Sequence, residues 1–407
     1  MTEVWIGLAI VTVLMLGLTA GLLFARSRLV SAEAIDICIN ETRHIGGQRG
    51  EKLLSALHNA GIQVPAACGG KGTCGLCRVT VVNFGAGEAL ATERGILSAK
   101  ERRSCIRLAC QTSLRQDCEV VVPEEILTAG GGFECRVAAT RMLAPLIREI
   151  VLEMPDNQLM DFRAGDFMQI TAPPFQLNLA NVEVDQRFAE TWTRSGWRKM
   201  SVASDVPVTR AYSLANRPQD SKTAVFNIRL AVPPAGREQE LPPGLVSSWL
   251  FSLMPGERVQ VSGPFGDFHV KPTRKDMVFV GGGVGMAPLR AMIHQQLESG
   301  TDRNIRYFYG ARSAADLFYL DEFESLATKH PNFLWKPALS DPAPGDRWMG
   351  ATGFIHEELL AEMRSHPEPE ECEYYLCGPP VMISAVLASL DKLGVERSSI
   401  YYDDFGA

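Results

Sequence analysis

The chain has 407 residues, 46% of them hydrophobic and 21% charged, and a formal net charge of −7. That length suits roughly three domains of about 150 residues, and the composition excludes a disordered chain. No Lys/Arg run could track a phosphate backbone, which excludes a nucleic-acid partner.

Val4 to Ala25 carries no charged side chain. As a helix it would be about 33 Å long, close to the hydrocarbon thickness of a bilayer. A signal peptide would want a basic stretch, a shorter apolar core and a small-residue cleavage site. Here Glu3 precedes the run, and the first basic residues, Arg26 and Arg28, follow it. The expectation is a single transmembrane anchor, residues 1–26, with the remainder on the cytoplasmic side.

After a polar link, Ser27–Ala34, the period-2 run Ile35–Ile39 predicts a strand, and Leu53, Leu54 and Leu57 predict the apolar face of a helix. Val79–Val82 and Glu119–Val122 read as strands, and Ser98 with Glu101 reads as a capping box. Gly130–Gly132 is the expected boundary of this first soluble domain. From Cys135 to about Val270, short strands between Gly and Pro turns predict an antiparallel barrel: Arg136–Ala139, Phe167–Thr171, Val225–Val232 and Arg258–Ser262. A long Trp-containing insertion, Phe175–Val206, interrupts them. Beyond Thr273, strands alternate with helices: Met277–Val280, helix Leu289–Leu297, Ile305–Tyr309, helix Asp321–Lys329 and Phe333–Leu339. That alternation predicts a parallel sheet with helical crossovers.

Ten cysteines would suggest a disulfide framework only in a small secreted domain. Here Cys68, Cys74 and Cys77 share one Gly-rich loop, with five and two residues between them, and Cys110 follows 32 residues later. Such clustering points to a metal site in a reducing compartment. A 2Fe-2S cluster needs four converging thiolates, and glycines let backbone amides approach its sulfurs. A structural zinc site uses the same ligand type, but favours two separated Cys-x-x-Cys pairs. The spacing resembles the ferredoxin family, with the longer first interval of its adrenodoxin-like branch. Cys38, Cys105, Cys118, Cys135 and Cys372 match no ligand position and are expected to be buried structural thiols.

Arg210–Ala211–Tyr212–Ser213 resembles the Arg-x-Tyr-Ser signature of the ferredoxin–NADP reductase family. An arginine fork suits a pyrophosphate, a tyrosine ring can stack on an isoalloxazine, and a serine hydroxyl can reach the reactive nitrogen. Downstream, Pro243–Gly244–Leu245–Val246–Ser247–Ser248 opens a helix after a turn, and a helix start suits a phosphate. The resemblance places the FAD pyrophosphate there, at Gly244, Val246 and Ser247. Gly263–Gly266 is similar to the way the family closes its barrel. Strand Met277–Val280 then runs into Gly281–Gly282–Gly283–Val284–Gly285–Met286–Ala287–Pro288, a turn suited to a dinucleotide pyrophosphate. It matches the family's own Gly-Gly-Gly-x-Gly-x-x-Pro rather than the Rossmann spacing. Tyr375–Leu376–Cys377–Gly378–Pro379–Pro380 follows as strand, turn and helix. The resemblance puts Cys377 beside the nicotinamide; an inert buried thiol is the alternative. It likewise implies that Phe405 covers the flavin. Ala338–Asp341 lacks basic residues for a 2′-phosphate and Asp341 would repel one, which favours NADH; Arg312 argues the other way.

The resemblance thus implies a multidomain chain. A transmembrane helix (1–26) precedes an α+β ferredoxin-like (β-grasp) domain for the 2Fe-2S cluster (35–128). An antiparallel β-barrel for FAD (131–271) and an α/β parallel-sheet domain for NADH (273–407) follow. Soluble reductases of multicomponent oxygenases share this order. The anchor, the insertion and the ending Asp403–Asp404–Phe405–Gly406 make the chain more similar to the F-subunit family of bacterial sodium-translocating NADH:quinone oxidoreductases. Ser213, Cys377 and Phe405 are then the residues expected at the hydride-transfer site. The expected partners are other membrane subunits of a bacterial inner-membrane complex. A membrane-tethered redox sensor that retains its cofactors is a reading of a different class.

Overall fold

The computed structural model describes residues 5, 12, 14–19, 21, 33–66, 68–82, 87–128, 132–155, 158–234, 236–237, 241–343 and 345–404. Two compact units result, Met1–Val64 with Gly70–Thr128, and Pro65–Gly69 with Ala129–Ala407. Most of the expected anchor and the glycines at 130–131 lie outside the described residues. Among those described, no helix is long and apolar enough to cross a membrane.

The first unit is a five-stranded mixed sheet. Its strands are β1 (Ala34–Ile39), β2 (Arg43–Gln48), β3 (Arg78–Val81), β4 (Ile106–Leu108) and β5 (Cys118–Val121), in the order β2-β1-β5-β3-β4. β1 and β5 are parallel and the other pairs antiparallel. Ile35, Ile37 and Ile39 alternate inward along β1, and helix Leu53–Asn59 buries Leu53, Leu54, Ala56 and Leu57. Ser98 and Glu101 form the expected capping box, with Glu101 N donating to Ser98 Oγ at 3.2 Å and Ser98 N to Glu101 Oε2 at 2.8 Å.

The second unit begins with β6 (Phe133–Ala144), β7 (Ile147–Glu153), β8 (Phe167–Ala172), β9 (Phe175–Asn178), β10 (Ser201–Ser204), β11 (Val208–Ser213), β12 (Thr223–Arg229) and β13 (Arg258–Phe265). Six of these form an antiparallel sheet in the order β11-β8-β13-β6-β7-β12. Leu214 bridges to Phe226, and Ala215 N donates to Val225 O at 2.8 Å, so the two edge strands meet and the sheet closes. Val137, Ile150, Met168, Phe226 and Ile228 fill its interior. β12 ends at Arg229 rather than Val232: Leu230 N still follows the β7 register to Leu146 O, but the next amide, Ala231 N, bonds Ser247 Oγ instead. The insertion is a folded element, with β9 paired to β10 and helix Gln186–Arg194 between them. Trp192 anchors it to the barrel: it is fully buried, donates Nε1 to Pro145 O at 2.6 Å and stacks on Phe251.

The remaining strands are β14 (Met277–Gly282), β15 (Ile305–Ala311), β16 (Phe333–Leu339), β17 (Ala351–Thr352), β18 (Glu373–Gly378) and β19 (Ile400–Asp404). They form one parallel sheet in the order β17-β16-β15-β14-β18-β19. β14 and β18 are buried at every position, as strands covered on both faces must be. The helix after β14 runs Met286–Glu298, starting three residues earlier than the apolar pattern suggests. Pro288 is tolerated because it sits in the first turn, where amides lack intrahelical acceptors.

Candidate functional site

In the first unit, Cys74 and Cys77 share a loop, and Cys110 follows β4. Ala109 N donates to Cys77 O at 2.8 Å, so the loop end and the segment carrying Cys110 lie side by side. Gln111 fastens the loop further: its Nε2 donates to Gly70 O at 3.2 Å and reaches Cys110 Sγ at 3.6 Å. A side chain at Gly72 would come within 2.5 Å of that amide, at a backbone φ of +79°. Cys77 and Cys110 are buried and Cys74 is half-buried. Cys68, also half-buried, lies on the stretch Pro65–Gly69. Among the described residues, no three His, Cys, Asp or Glu side chains are gathered to hold a single ion; a two-iron cluster instead takes its four thiolates as two pairs. Close backbone approach to Cys110 and an all-thiol donor set fit a cluster.

β4 is held by a buried ion pair that no local sequence pattern announces. Arg107 meets Glu93 at 2.8 and 2.9 Å, and Leu108 N donates to the same carboxylate at 3.0 Å. Burial alone would raise the Glu93 carboxyl; the bonds from Arg107 and the two backbone amides outweigh it and lower it.

The remaining cysteines divide. Cys118, Cys135 and Cys372 are buried as expected, and burial pushes their thiols up to about 11, 12 and 11. Cys38 is only half-buried, because it lies on the outer face of β1, and Cys105 is exposed. Cys105 follows helix Ala99–Arg103 with φ +57°, in the left-handed position that ends many helices.

In the barrel, Arg210, Tyr212 and Ser213 lie on β11 against β8, with Arg210 opposite Ile170, Tyr212 opposite Met168 and Ser213 opposite Phe167. Arg210 and Tyr212 are half-buried and share a face, while Ser213 is buried. Burial pushes the Tyr212 phenol up, against the Arg210 charge. Gly244 is the N-cap of helix Leu245–Ser252, which buries Val246 and Ser247. Ser247 Oγ links the turn together, donating to Gly244 O at 3.2 Å and accepting from Ala231 N at 3.3 Å. Next to it, Ser248 Oγ is fully buried with no hydrogen-bond partner among the described residues. A helix start with an unsatisfied hydroxyl suits a phosphate oxygen, as the flavin reading requires. The sequence pattern does not single out Ser248, although the residue closes the motif that signals the helix.

In the parallel sheet, the glycine turn leaves the end of β14 and Cys377–Pro379 leaves the end of β18. These strands are neighbours, with Gly281 opposite Cys377. The strand order reverses between them, since β15 to β17 extend one way and β19 the other. Such a switch point opens a crevice at the carboxyl ends of the strands. Two helices, Met286–Glu298 and Pro380–Lys392, start there and turn their amino ends toward it. At Gly285 a methyl group would lie 2.0 Å from the Cys377 carbonyl oxygen, so the two turns touch backbone to backbone. The Cys377 side chain is fully buried in the core that contains Met286, Tyr307 and Tyr375. Gly281, Gly282, Gly283, Gly285, Gly378 and Pro379 are thus brought together. Arg312 is paired with Asp341 at 3.1 Å, both exposed, at the ends of β15 and β16. Phe405 lies outside the described residues.

The 2Fe-2S iron-sulfur cluster binding domain matches residues 39–115, and the oxidoreductase NAD-binding domain matches 279–387. The chain is 43% identical to the F subunit of the Na(+)-translocating NADH-quinone reductase of Idiomarina loihiensis, over 100% of both chains. With the corresponding F subunit from Pseudomonas aeruginosa it is 43% identical, over 99% of this chain and 100% of the relative. Among solved structures, a cytochrome P450 reductase of Amycolatopsis superposes with a TM-score of 0.60 at 25% identity, over 91% of this chain and 98% of that one. A ferredoxin reductase in carbazole 1,9a-dioxygenase shares the fold, with a TM-score of 0.58 at 22% identity over 92% and 99%. With full-length identity to such relatives, the chain belongs to the family of Na(+)-translocating NADH-quinone reductase F subunits.

Proposed function

We propose that the chain is the NADH-oxidising subunit of a membrane Na(+)-translocating NADH:quinone oxidoreductase. The observation that carries this reading is the switch point between β14 and β18, where a glycine turn, a Cys-Gly-Pro turn and two helix starts converge in the same folded unit as the Arg210–Ser213 strand. Backbone amides of Gly281–Gly285 and the following helix start would hold the NADH pyrophosphate, with Gly378 and Pro379 forming the opposite wall. The Arg312–Asp341 pair leaves that guanidinium occupied, which supports NADH over NADPH.

Arg210 and the Gly244–Ser248 turn would take the FAD pyrophosphate, the Tyr212 ring would pack on the isoalloxazine, and Ser213 would offer its hydroxyl to the ring. Cys68, Cys74, Cys77 and Cys110 would ligate the 2Fe-2S cluster. Bound FAD supplies the change from a two-electron donor to a one-electron acceptor, which an iron–sulfur cluster requires. The protein's part is to align nucleotide and flavin and to keep the loop of Cys74 and Cys77 fixed against Ala109–Gln111. Onward transfer goes to other membrane subunits. Domains at residues 1–26, 35–128, 131–271 and 273–407 belong to the same reading.

The anchor reading rests on the charge-free Val4–Ala25 segment. Its described apolar side chains, Trp5, Leu14, Met15, Leu16 and Leu18, are 64–69% exposed. Removing residues 1–26 should give a water-soluble protein that keeps its flavin and oxidises NADH with ferricyanide. Full-length protein in its complex should show sodium-stimulated quinone reduction. Loss of flavin on truncation would contradict the proposed boundary.

A further inference from the structure

Arg290 and Tyr319 have no part in any cofactor motif, yet they join the two halves of the second unit. Arg290 lies on helix Met286–Glu298, one turn beyond the glycine turn. Its Nη1 donates to the Ala215 carbonyl at 2.6 Å, and Ala215 directly follows the Arg210–Leu214 segment of the barrel. The rest of its fork holds Glu322, Nε to Oε1 at 2.6 Å and Nη2 to Oε2 at 3.0 Å. His294 bonds the same carboxylate at 2.6 Å. Burial would raise the Glu322 carboxyl, but the His294 and Arg290 bonds hold it at about 2.

A second tie lies on the same helix face. Glu298 pairs with Arg217 at 2.7 Å, two residues beyond Ala215. Residues 290 and 298 are about 12 Å apart along a helix axis. Two bonds at that separation fix both the distance and the rotation of the helix against Ala215–Arg217. The third tie is Tyr319, whose ring lies 4.6 Å from the Arg290 guanidinium. Its hydroxyl donates to Glu149 and lies 3.0 Å from the side-chain amide of Asn227, and these two residues face each other on β7 and β12. Tyr319 precedes helix Leu320–Lys329 in a left-handed conformation, φ +59°, uncommon for a bulky residue. Burial and the Glu149 carboxylate push its phenol up, so it remains a donor. Ties at Ala215, at Arg217 and at the Glu149–Asn227 pair thus restrain the nucleotide sheet against the barrel.

We propose that Arg290 and Tyr319 are positioning residues for hydride transfer. They set the register between the nucleotide turn and the flavin strand without touching either ligand. The proposal rests on the functional reading above. Hydride transfer depends steeply on the spacing and alignment of the two rings, so a small rotation at this seam would reach the reaction centre. Binding of each ligand, by contrast, depends mainly on its own half.

The test uses the full chain carrying Arg290→Lys or Tyr319→Phe. Lysine keeps the charge but cannot serve Ala215 and Glu322 together through a planar fork. Phenylalanine keeps the ring and loses only the hydroxyl. Flavin reduction by NADH in a single turnover should slow roughly 10- to 100-fold in each variant. The long-wavelength absorbance that reports nicotinamide stacked on flavin should fade. Flavin content should stay at the wild-type level, and NAD⁺ affinity within about twofold. Unchanged reduction rates would overturn the proposal, as would rate losses matched by equal losses of NAD⁺ affinity and flavin. If Arg290→Lys does not fold, Tyr319→Phe alone must show the slow reduction with retained binding, or the proposal falls. A wild-type flavin that NADH does not reduce would instead overturn the functional reading, and this proposal with it.

Discussion

Gly285 and Cys377 approach so closely that a single methyl group on the glycine would overlap the cysteine carbonyl, at 2.0 Å. The contact is between main chains, so no side chain can swing away to relieve it. It locks the turn after β14 against the turn after β18 at the switch point.

Gly285→Ala should therefore separate the two turns. The expected cost is about 1–3 kcal/mol of stability, as for other overpacked sites. NADH affinity should fall at least tenfold while flavin and iron contents stay unchanged. Thermal melting and an NAD⁺ titration measure both effects, and wild-type affinity would show that the turn does not hold the nucleotide.

Asp341 engages Arg312 in an exposed pair, which adds little stability. Asp341→Ala should change the melting temperature by no more than a degree or two, since exposed substitutions are worth about 0.5 kcal/mol or less. It should free the guanidinium for a 2′-phosphate. A hydrogen bond to a charged group contributes about 1.5 kcal/mol, so KM for NADPH should drop roughly tenfold with KM for NADH little changed. Equal KM values for NADPH in variant and wild type would place the adenosine end elsewhere.

Cys74→Ala removes one thiol of the loop. The variant should lose the visible absorption and reduced-state EPR signal of the cluster while its FAD content and NADH–ferricyanide activity persist. Metal analysis of the wild type should give iron and sulfide; one zinc and no iron would restore the structural-zinc alternative.

Acid stability should carry the signature of Glu322. Its carboxyl titrates at about 2 in the folded chain and near 4.5 when unfolded. The unfolded state binds this proton first, so the stabilisation is full above about pH 4.5 and fades as pH falls toward 2. Glu322→Gln should flatten that part of the unfolding curve. An identical slope between pH 4.5 and 2 in the variant would contradict the assignment.

How far the sequence reveals these features depends on the range of the forces involved. β14 is legible because Met277–Val280 is a short unbroken apolar run ending in glycines, the pattern of a strand covered on both faces. The capping box at Ser98 is legible because its two bonds span three residues. The outward placement of Cys38 is also available from the Ile35-Ile37-Ile39 alternation, which puts the residue between them on the other face and overrides the general tendency of free thiols to be buried. The start of helix Met286–Glu298 is obscured because Gly285 and Pro288 both resemble loop residues. Arg290 and Ala215 are 75 positions apart in sequence, so no local pattern announces their bond. The same holds for Trp192, whose anchoring acceptor, Pro145, belongs to a turn the insertion does not adjoin in sequence.

The central claim is that one polypeptide takes a hydride from NADH and divides it into single electrons for an iron–sulfur cluster. An anaerobic NADH titration of the purified chain, followed by flavin absorbance and by EPR, tests it most directly. With two electrons held by FAD and one by the cluster, full reduction should require about 1.5 equivalents of NADH, and the flavin bleaching should be accompanied by a cluster signal. Saturation at about one equivalent with no EPR signal, in protein shown to contain iron, would contradict the account.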